Sequence, residues 1–250
     1  MKLLETEKQT LWAVLRSSLC QQLDYWLQLC YPSDVLAAAE RMDNILWQAL
    51  QVATGSRIPR VGEGSDWECI PSVPVESLRD RSFQEWVVRQ PIRFGGLGVR
   101  GQRETVPAAF IGALEQTLPA FTGDRGVCQQ LTHLVAEPGD EENRWQALLQ
   151  SGCRTGTELA WCWESLTTEA REMGTFLNQE VEKIFLVPVQ GVGEGRTDGK
   201  TRSLIIETRE KTRGQALTRA LELHPDRQVR PVLMWPQLDK CWHYLVHSQV

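Results

Sequence analysis

The sequence lacks an Asp-Asp dipeptide, the acidic pair that would suit metal-assisted phosphoryl transfer, since no two aspartates are adjacent anywhere in its 250 residues. Two-metal polymerases and nucleases hold their ions with clustered carboxylates. The sequence also lacks a Gly-x-Ser-x-Gly elbow, and its four histidines and seven cysteines carry no flanking signature of a nucleophile. It therefore predicts no catalytic residue, no metal and no cofactor, and we expect the isolated chain not to be an enzyme.

Long apolar runs are missing as well. No stretch approaches the roughly 18 apolar residues that span a bilayer, and residues 1–5 (MKLLE) become charged at once, unlike a secretory leader. The seven cysteines include no Cys-x-x-Cys pair, and reduced thiols are typical of the cytosol and nucleus. We expect an intracellular protein, nuclear or cytoplasmic, with no membrane partner.

An excess of positive charge is absent too: 27 basic residues face 32 acidic ones, which gives a net charge of −5. A stand-alone nucleic-acid binder is usually basic, because its affinity comes largely from neutralising phosphates. The overall charge therefore argues mildly against autonomous binding of RNA or DNA. Tryptophan, in contrast, is abundant, and we expect most of the ten tryptophans to anchor helix packing.

Apolar residues recur at spacings of three and four, which predicts a mostly α fold: a multi-helix, bundle-like array with irregular Gly/Pro-rich loops and little or no β structure. Residues 1–55 are predicted to form a helical hairpin, with a long first helix stopped at Pro32 and a second ended by Gly55. Residues 56–138 comprise a loop, a glycine-rich motif and short helices, one of them beginning at Pro107. Residues 139–250 form a C-terminal helical region with an exposed loop near 190–200.

Within the C-terminal region the pattern predicts helices at 140–151, 156–183 and 202–223. The apolar, β-branched run at 184–189 is predicted to be extended. Near the end, Cys241, His243 and His247 have a spacing that metals use, but a structural zinc needs four ligands and no second cysteine is near. We interpret them as part of an ordinary helix.

Residues 191–201 (GVGEGRTDGKT) lie where a phosphate-binding P-loop would lie, between an apolar run and a helix. The P-loop pattern needs a glycine five positions before Gly199, and that position is Glu194. A flexible solvent loop is the main interpretation. A nucleotide-binding enzyme that uses this loop stays open as an alternative.

Two groups of basic residues are candidates for contact with phosphates. One surrounds the glycine-rich motif, whose glycines are expected to make a structural turn because they permit positive backbone angles or close approach; the other lies on the charged C-terminal helix. The alternatives are a tight turn between helices and a solvated helix face with internal ion pairs. The glycines are Gly95, Gly96 and Gly98, and the basic residues are Arg93, Arg100 and Arg103 in the first group and Lys200, Arg202, Arg209, Lys211 and Arg213 in the second.

Residues 81–86 (RSFQEW), 90–100 (QPIRFGGLGVR) and 107–112 (PAAFIG) resemble a stretch of non-LTR, LINE-like retrotransposon polyproteins. In that family an "LP-R-GGLG" motif and a downstream "PAA" helix follow the palm of the reverse transcriptase, in the thumb and its C-terminal extension. Residues 26–32 and Asp43 are similar to the helical pair that precedes this motif, and residues 230–232 with 235–240 resemble a downstream part of such polyproteins. The likeness covers roughly residues 20–240.

The resemblance implies a non-catalytic, thumb-like helical segment that contacts the template–primer, RNA or an RNA–DNA hybrid, through the basic residues above. Its implied partner is a polymerase palm, whose aromatic-x-Asp-Asp turn this chain does not contain. A helical protein–protein interaction module without nucleic-acid binding is the alternative, favoured by the tryptophans and the negative net charge.

Overall fold

A computed structural model describes residues 10, 14–15, 18–54, 88–94, 96–122, 141–191 and 199–223. In this part of the chain the structure is mostly helical and contains no strand, which confirms the predicted fold class. The helices are α1 (Asp24–Leu29), α2 (Pro32–Thr54), α3 (Gln102–Thr122), α4 (Glu141–Gln150), α5 (Arg154–Leu177), α6 (Val181–Phe185), α7 (Val187–Gln190) and α8 (Thr201–Leu223), with 3-10 turns at Leu19–Gln21 and Ile92–Phe94.

Helix α3 lies at the centre and contacts α1, α2, α5 and α8. Residues 105–112 are all buried, so this stretch of the helix has no solvent-facing side. Small and apolar side chains all round the helix suit such a position, because neighbours can pack on every face. Among them, Ala108, Ala109 and Ile111 have no exposed surface.

The main core joins α3 to the helices that follow it in the chain. Its side chains come from α3, α4, α5, α6, α7 and α8 and include Ile111, Leu166, Met173, Phe185 and Ile205, all fully or almost fully buried. Burial of each such side chain stabilises the fold by about 1.5–3 kcal/mol before the entropy of ordering is counted. The core therefore fixes α8 against α3 and α5.

Two smaller apolar clusters pack the segment that precedes α2 against that helix. Leu15 packs with Leu46 and Leu50 near the C-terminal end of α2, whereas Leu27 packs with Ala39 nearer its N-terminal end. The segment from Leu15 to Leu27 and helix α2 therefore run in opposite directions. The predicted single first helix is wrong in detail, because a 3-10 turn at Leu19–Gln21 precedes α1, which begins at Asp24.

The ends of α2 coincide with a proline and a glycine in the sequence. The helix begins at Pro32 itself, so this proline opens the second helix rather than only closing the first. Proline suits the first turn, where its missing N–H costs no hydrogen bond. The helix ends at Thr54, directly before Gly55.

The prediction that a helix begins at Pro107 is wrong by five residues, because α3 begins at Gln102. The cause lies in another helix: the carboxylate of Asp43 on α2 accepts hydrogen bonds from the backbone N–H groups of Gln102 (2.6 Å) and Arg103 (3.1 Å). These N–H groups have no partner inside their own helix. A buried carboxylate from α2 supplies the cap that local sequence does not reveal.

The extended run predicted at 184–189 is wrong, because these residues lie in two short helices, α6 and α7, and at Leu186, which joins them. Phe185, Leu186 and Val189 are buried in the main core. A helical backbone puts these positions on one side, and this packing overrides the strand preference of β-branched residues. The predicted helix at 156–183 is likewise divided, since α5 ends at Leu177 and Asn178 adopts a left-handed conformation with φ of 51°.

Candidate functional site

The glycine-rich motif folds as a tight turn against α8. The Gly98 N–H donates to the Gln90 carbonyl (2.7 Å) and the Val99 N–H donates to the Val88 carbonyl (3.1 Å), so the chain doubles back on itself. Gly98 has a φ of 72°, and a Cβ on Gly96 would overlap the Gln90 carbonyl. Larger residues at these two positions would open the turn. Gly95 lies outside the described residues.

The turn is fixed to α8 by two contacts with the stretch from Glu210 to Gly214. The Gln90 side-chain amide donates to the backbone carbonyl of Glu210. Phe94 lies beside Gly214, where a Cβ would come within 3.3 Å of its ring. The absence of a side chain at Gly214 therefore lets the turn lie directly on the helix.

On the outer side of this turn, two exposed arginines meet one carboxylate. Arg93 Nη2 lies 3.2 Å from one oxygen of Glu210, and Arg100 Nη2 lies 3.3 Å from the other. The side chains of Arg93 and Arg100 are 56% and 43% exposed, but that of Glu210 is only 13% exposed. We call these two arginines the arginine fork. With Glu210 included, the group carries one net positive charge.

An aromatic ring borders the fork. The guanidinium of Arg93 lies 5.0 Å from the centre of the Phe94 ring, a cation–π distance. Phe94 is 36% exposed, so part of the ring faces solvent beside the two arginines. Guanidinium groups bind phosphate, and exposed aromatic rings stack on bases. The fork and Phe94 together can therefore contact both parts of a nucleotide unit.

Two of the predicted contact residues, Arg209 and Arg213, do not face solvent in the structure. They are 2% and 3% exposed. Arg213 binds Glu169 (2.7 Å) and Glu104 (3.1 Å), and Arg209 lies 3.8 Å from Glu169 and donates to the Glu104 backbone carbonyl (2.6 Å). Arg89 also binds Glu104, at 3.2 Å. We call these five residues the buried ion cluster.

The buried ion cluster has a structural role. Burial lowers the pKa of Arg209, against the opposing effect of Glu169 and Glu104. Burial also acts to lower the pKa of Arg213, but the same two carboxylates outweigh it and the pKa is raised. A charge buried at this depth is stable only while its partner is present. The cluster therefore joins α3, α5 and α8.

The other predicted residues lie in different places. Arg202 binds Asp24 of α1 at 2.9 Å and is 20% exposed, so it too is largely covered. Arg103 is 62% exposed and binds Glu40 at 2.8 Å. Lys200 and Lys211 are exposed. Lys200 directly precedes α8, and Lys211 lies eleven residues further along, about 16 Å away at helical rise. Two pairs among the eight basic residues share a carboxylate: Arg93 and Arg100 share Glu210 near the surface, whereas Arg209 and Arg213 share the buried Glu169.

The start of α8 bears on the alternative of a nucleotide site. Both donor groups of Thr201 are taken by Glu115 of α3: the N–H at 3.2 Å and the hydroxyl at 2.5 Å. In a P-loop the corresponding groups would serve phosphate and Mg²⁺. A buried carboxylate therefore occupies this helix N-terminus. Residues 192–198 lie outside the described part of the chain.

A cleft of about 790 Å³ lies between α5 and the short helices α6 and α7. Its charged side chains pair with one another: Arg171 lies 3.7 Å from Glu182, and Lys183 lies 2.5 Å from Glu180. Its charges are therefore balanced within these pairs.

Neither a metal cluster nor a membrane span is found in the described ranges. They contain no group of three or more His, Cys, Asp or Glu side chains placed to hold a metal ion. They also contain no helix with both the length and the apolar character to cross a bilayer. Cys241, His243 and His247 lie outside these ranges.

Comparison with known proteins adds no relative: no family model, no curated protein and no solved structure matches this chain. Functional assignment therefore depends on the geometry above. Sequence reasoning missed two members of the site, Phe94 and Glu210. Phe94 stands inside the quoted motif next to Arg93, so the motif itself could have indicated it, but Glu210 is 110 residues from Arg100 and only the fold brings the two together.

Proposed function

We propose that this chain is a non-catalytic, reverse-transcriptase-derived helical segment that holds RNA or an RNA–DNA hybrid at the arginine fork. The observation that carries the proposal is the position of Arg93, Phe94 and Arg100 on one firmly held turn, with both guanidinium groups and the ring reaching solvent. Each guanidinium presents a planar fork of donors that matches phosphate oxygens, so two arginines on one turn can hold a phosphate together. Holding requires no catalytic group, and a polymerase palm would be the partner that supplies the chemistry.

The charge of the chain sets the strength expected for this binding. With a net charge of −5, the protein as a whole repels a polyanion, so attraction is confined to the fork and its surroundings. Two phosphate contacts on a single strand give a slope of log Kobs against log salt of about −1.4. We expect binding at low salt that weakens measurably as salt is added.

Fluorescence anisotropy with labelled single-stranded RNA and with an RNA–DNA hybrid tests the proposal. The double variant Arg93→Ala/Arg100→Ala should bind roughly 10- to 100-fold more weakly at low salt, because two charge-assisted contacts are lost. Arg171→Ala/Lys183→Ala is the matched control, since both side chains are also exposed, each pairs with one carboxylate, and their loss removes the same two charges away from the fork. Equal affinity of the wild type and the double variant would contradict the proposal.

A second candidate function is a protein–protein interaction module, and one surface favours it. Tyr25, Trp26 and Leu29 of α1 are 65%, 55% and 61% exposed, and the two aromatic rings meet edge to face at 5.8 Å. Exposed Trp and Tyr side chains are the residues that dominate binding energy at interfaces. If this is the function, Trp26→Ala should abolish capture of a partner protein and leave RNA binding unchanged.

A further inference from the structure

The arginine fork is already occupied by an anion, the carboxylate of Glu210. Each carboxylate oxygen serves one arginine, Oε2 for Arg93 and Oε1 for Arg100. A phosphate also presents two oxygens that can bridge a pair of guanidinium groups. The carboxylate therefore uses the same guanidinium donors that a phosphate of bound nucleic acid would use.

We propose that Glu210 is a built-in competitor for phosphate: its carboxylate pairs with both arginines in the free protein, and a phosphate takes over the two guanidinium groups when nucleic acid binds. This inference rests on the proposed function. It adds a phosphate subsite with a resident anion, and it assigns to Glu210 a role in regulating affinity.

The ion pairs at the fork have the geometry of displaceable contacts. The separations are 3.2 Å for Arg93 and 3.3 Å for Arg100. Charge-assisted bonds of full strength measure about 2.7–2.9 Å. Because both arginines are also about half exposed, water screens these pairs and lowers their strength.

Glu210 itself is held in place, so it cannot simply leave the site. Its backbone carbonyl accepts the Gln90 side-chain amide, and its side chain is only 13% exposed. The flexible partners are the two arginines, which carry long side chains into solvent. Binding would therefore proceed by the arginines turning from the carboxylate to the phosphate, with the turn and α8 unmoved.

Removal of the competing charge should raise affinity. In Glu210→Gln the amide keeps the shape of the side chain but no longer pairs with two cations. Each exposed ion pair that phosphate no longer has to break should improve affinity by up to about fivefold. With two such pairs, we expect roughly 2- to 30-fold tighter binding of labelled single-stranded RNA at low salt. Glu207→Gln is the matched control, because Glu207 is exposed one turn earlier on α8 and its loss changes the net charge equally.

Two further variants distinguish competition by the Glu210 carboxylate from an effect of net charge or of misfolding. Glu210→Asp keeps the charge but withdraws the carboxylate by one methylene, so it should give an intermediate gain. The triple variant Arg93→Ala/Arg100→Ala/Glu210→Gln should bind no better than Arg93→Ala/Arg100→Ala, because no fork remains to be released. Circular dichroism of each variant checks that the helices are intact.

The outcomes distinguish this inference from the proposed function. A gain in Glu210→Gln that is absent in Glu207→Gln supports the competitor. Equal affinities of Glu210→Gln and wild type, together with weaker binding by Arg93→Ala/Arg100→Ala, overturn the competitor and leave the function standing. Absence of RNA binding by both the wild type and Glu210→Gln overturns both.

Discussion

Glu169 is the residue whose loss should damage the fold most clearly. It lies on α5, is 8% exposed, and places its two oxygens 2.7 Å from Arg213 and 3.8 Å from Arg209 of α8. Glu169→Gln keeps the volume but removes the charge, so two buried guanidinium groups lose a counter-charge. The charge-assisted bond to Arg213 is worth about 1.5–3 kcal/mol, and removing one partner of a buried pair costs about 3–5 kcal/mol in all.

Urea denaturation followed by circular dichroism measures this loss as a change in the free energy of unfolding. The control is Glu164→Gln on the same helix, where the side chain is exposed; it should change stability by less than about 0.5 kcal/mol. Replacing both partners, Glu169→Gln with Arg213→Met, should recover part of the loss because the unpaired charge is gone. A loss below about 1 kcal/mol in Glu169→Gln would refute the burial of these charges.

Three further predictions concern single positions. Gly98→Ala should cost about 1–2 kcal/mol in the same urea assay, since φ is 72° there and left-handed backbone is unfavourable for alanine; no cost would mean that the turn has another conformation. Burial raises the pKa of Asp43 above its ordinary value of 3.8, so the stability linked to its protonation is complete below pH 3.8 and is lost as pH rises through the raised pKa. Relative to Asp43→Asn, the wild type should therefore lose stability with rising pH in urea titrations from about pH 3 to 7, and parallel curves would contradict this. Burial also raises the pKa of the Cys162 thiol well above its usual range. In the native protein, iodoacetamide should therefore label the partly exposed Cys153 before Cys162. Equal labelling rates at the two cysteines, measured by mass spectrometry, would show that the core opens.

Much of the fold was accessible from periodicity and from helix-ending residues. The predicted helix at 202–223 corresponds to α8 (Thr201–Leu223), and the predicted helix at 140–151 corresponds to α4. These signals are local, because spacing and turn residues act within a few positions. Where a distant side chain decides, as Asp43 does for the start of α3, the sequence contains no local trace of it.

The candidate site was predictable to a smaller extent. The type of residue was informative, since the motif places arginines beside glycines, but the exposure of each arginine depends on carboxylates far away in the sequence. Arg213 is buried because Glu104 and Glu169, 109 and 44 residues distant, surround it in the fold. From its sequence alone, the mixed-charge helix α8 resembled a solvated face, although two of its four arginines, Arg209 and Arg213, are buried.

The dependence of RNA affinity on salt tests the central claim most directly. Wild type and Arg93→Ala/Arg100→Ala should be compared by anisotropy over a salt series, with Arg171→Ala/Lys183→Ala as the control of equal charge. Loss of two phosphate contacts predicts that the slope of log Kobs against log salt becomes shallower by about 1.4 in the double variant alone. Identical slopes for all three proteins, or no binding by the wild type at the lowest salt, would contradict nucleic-acid binding at the arginine fork.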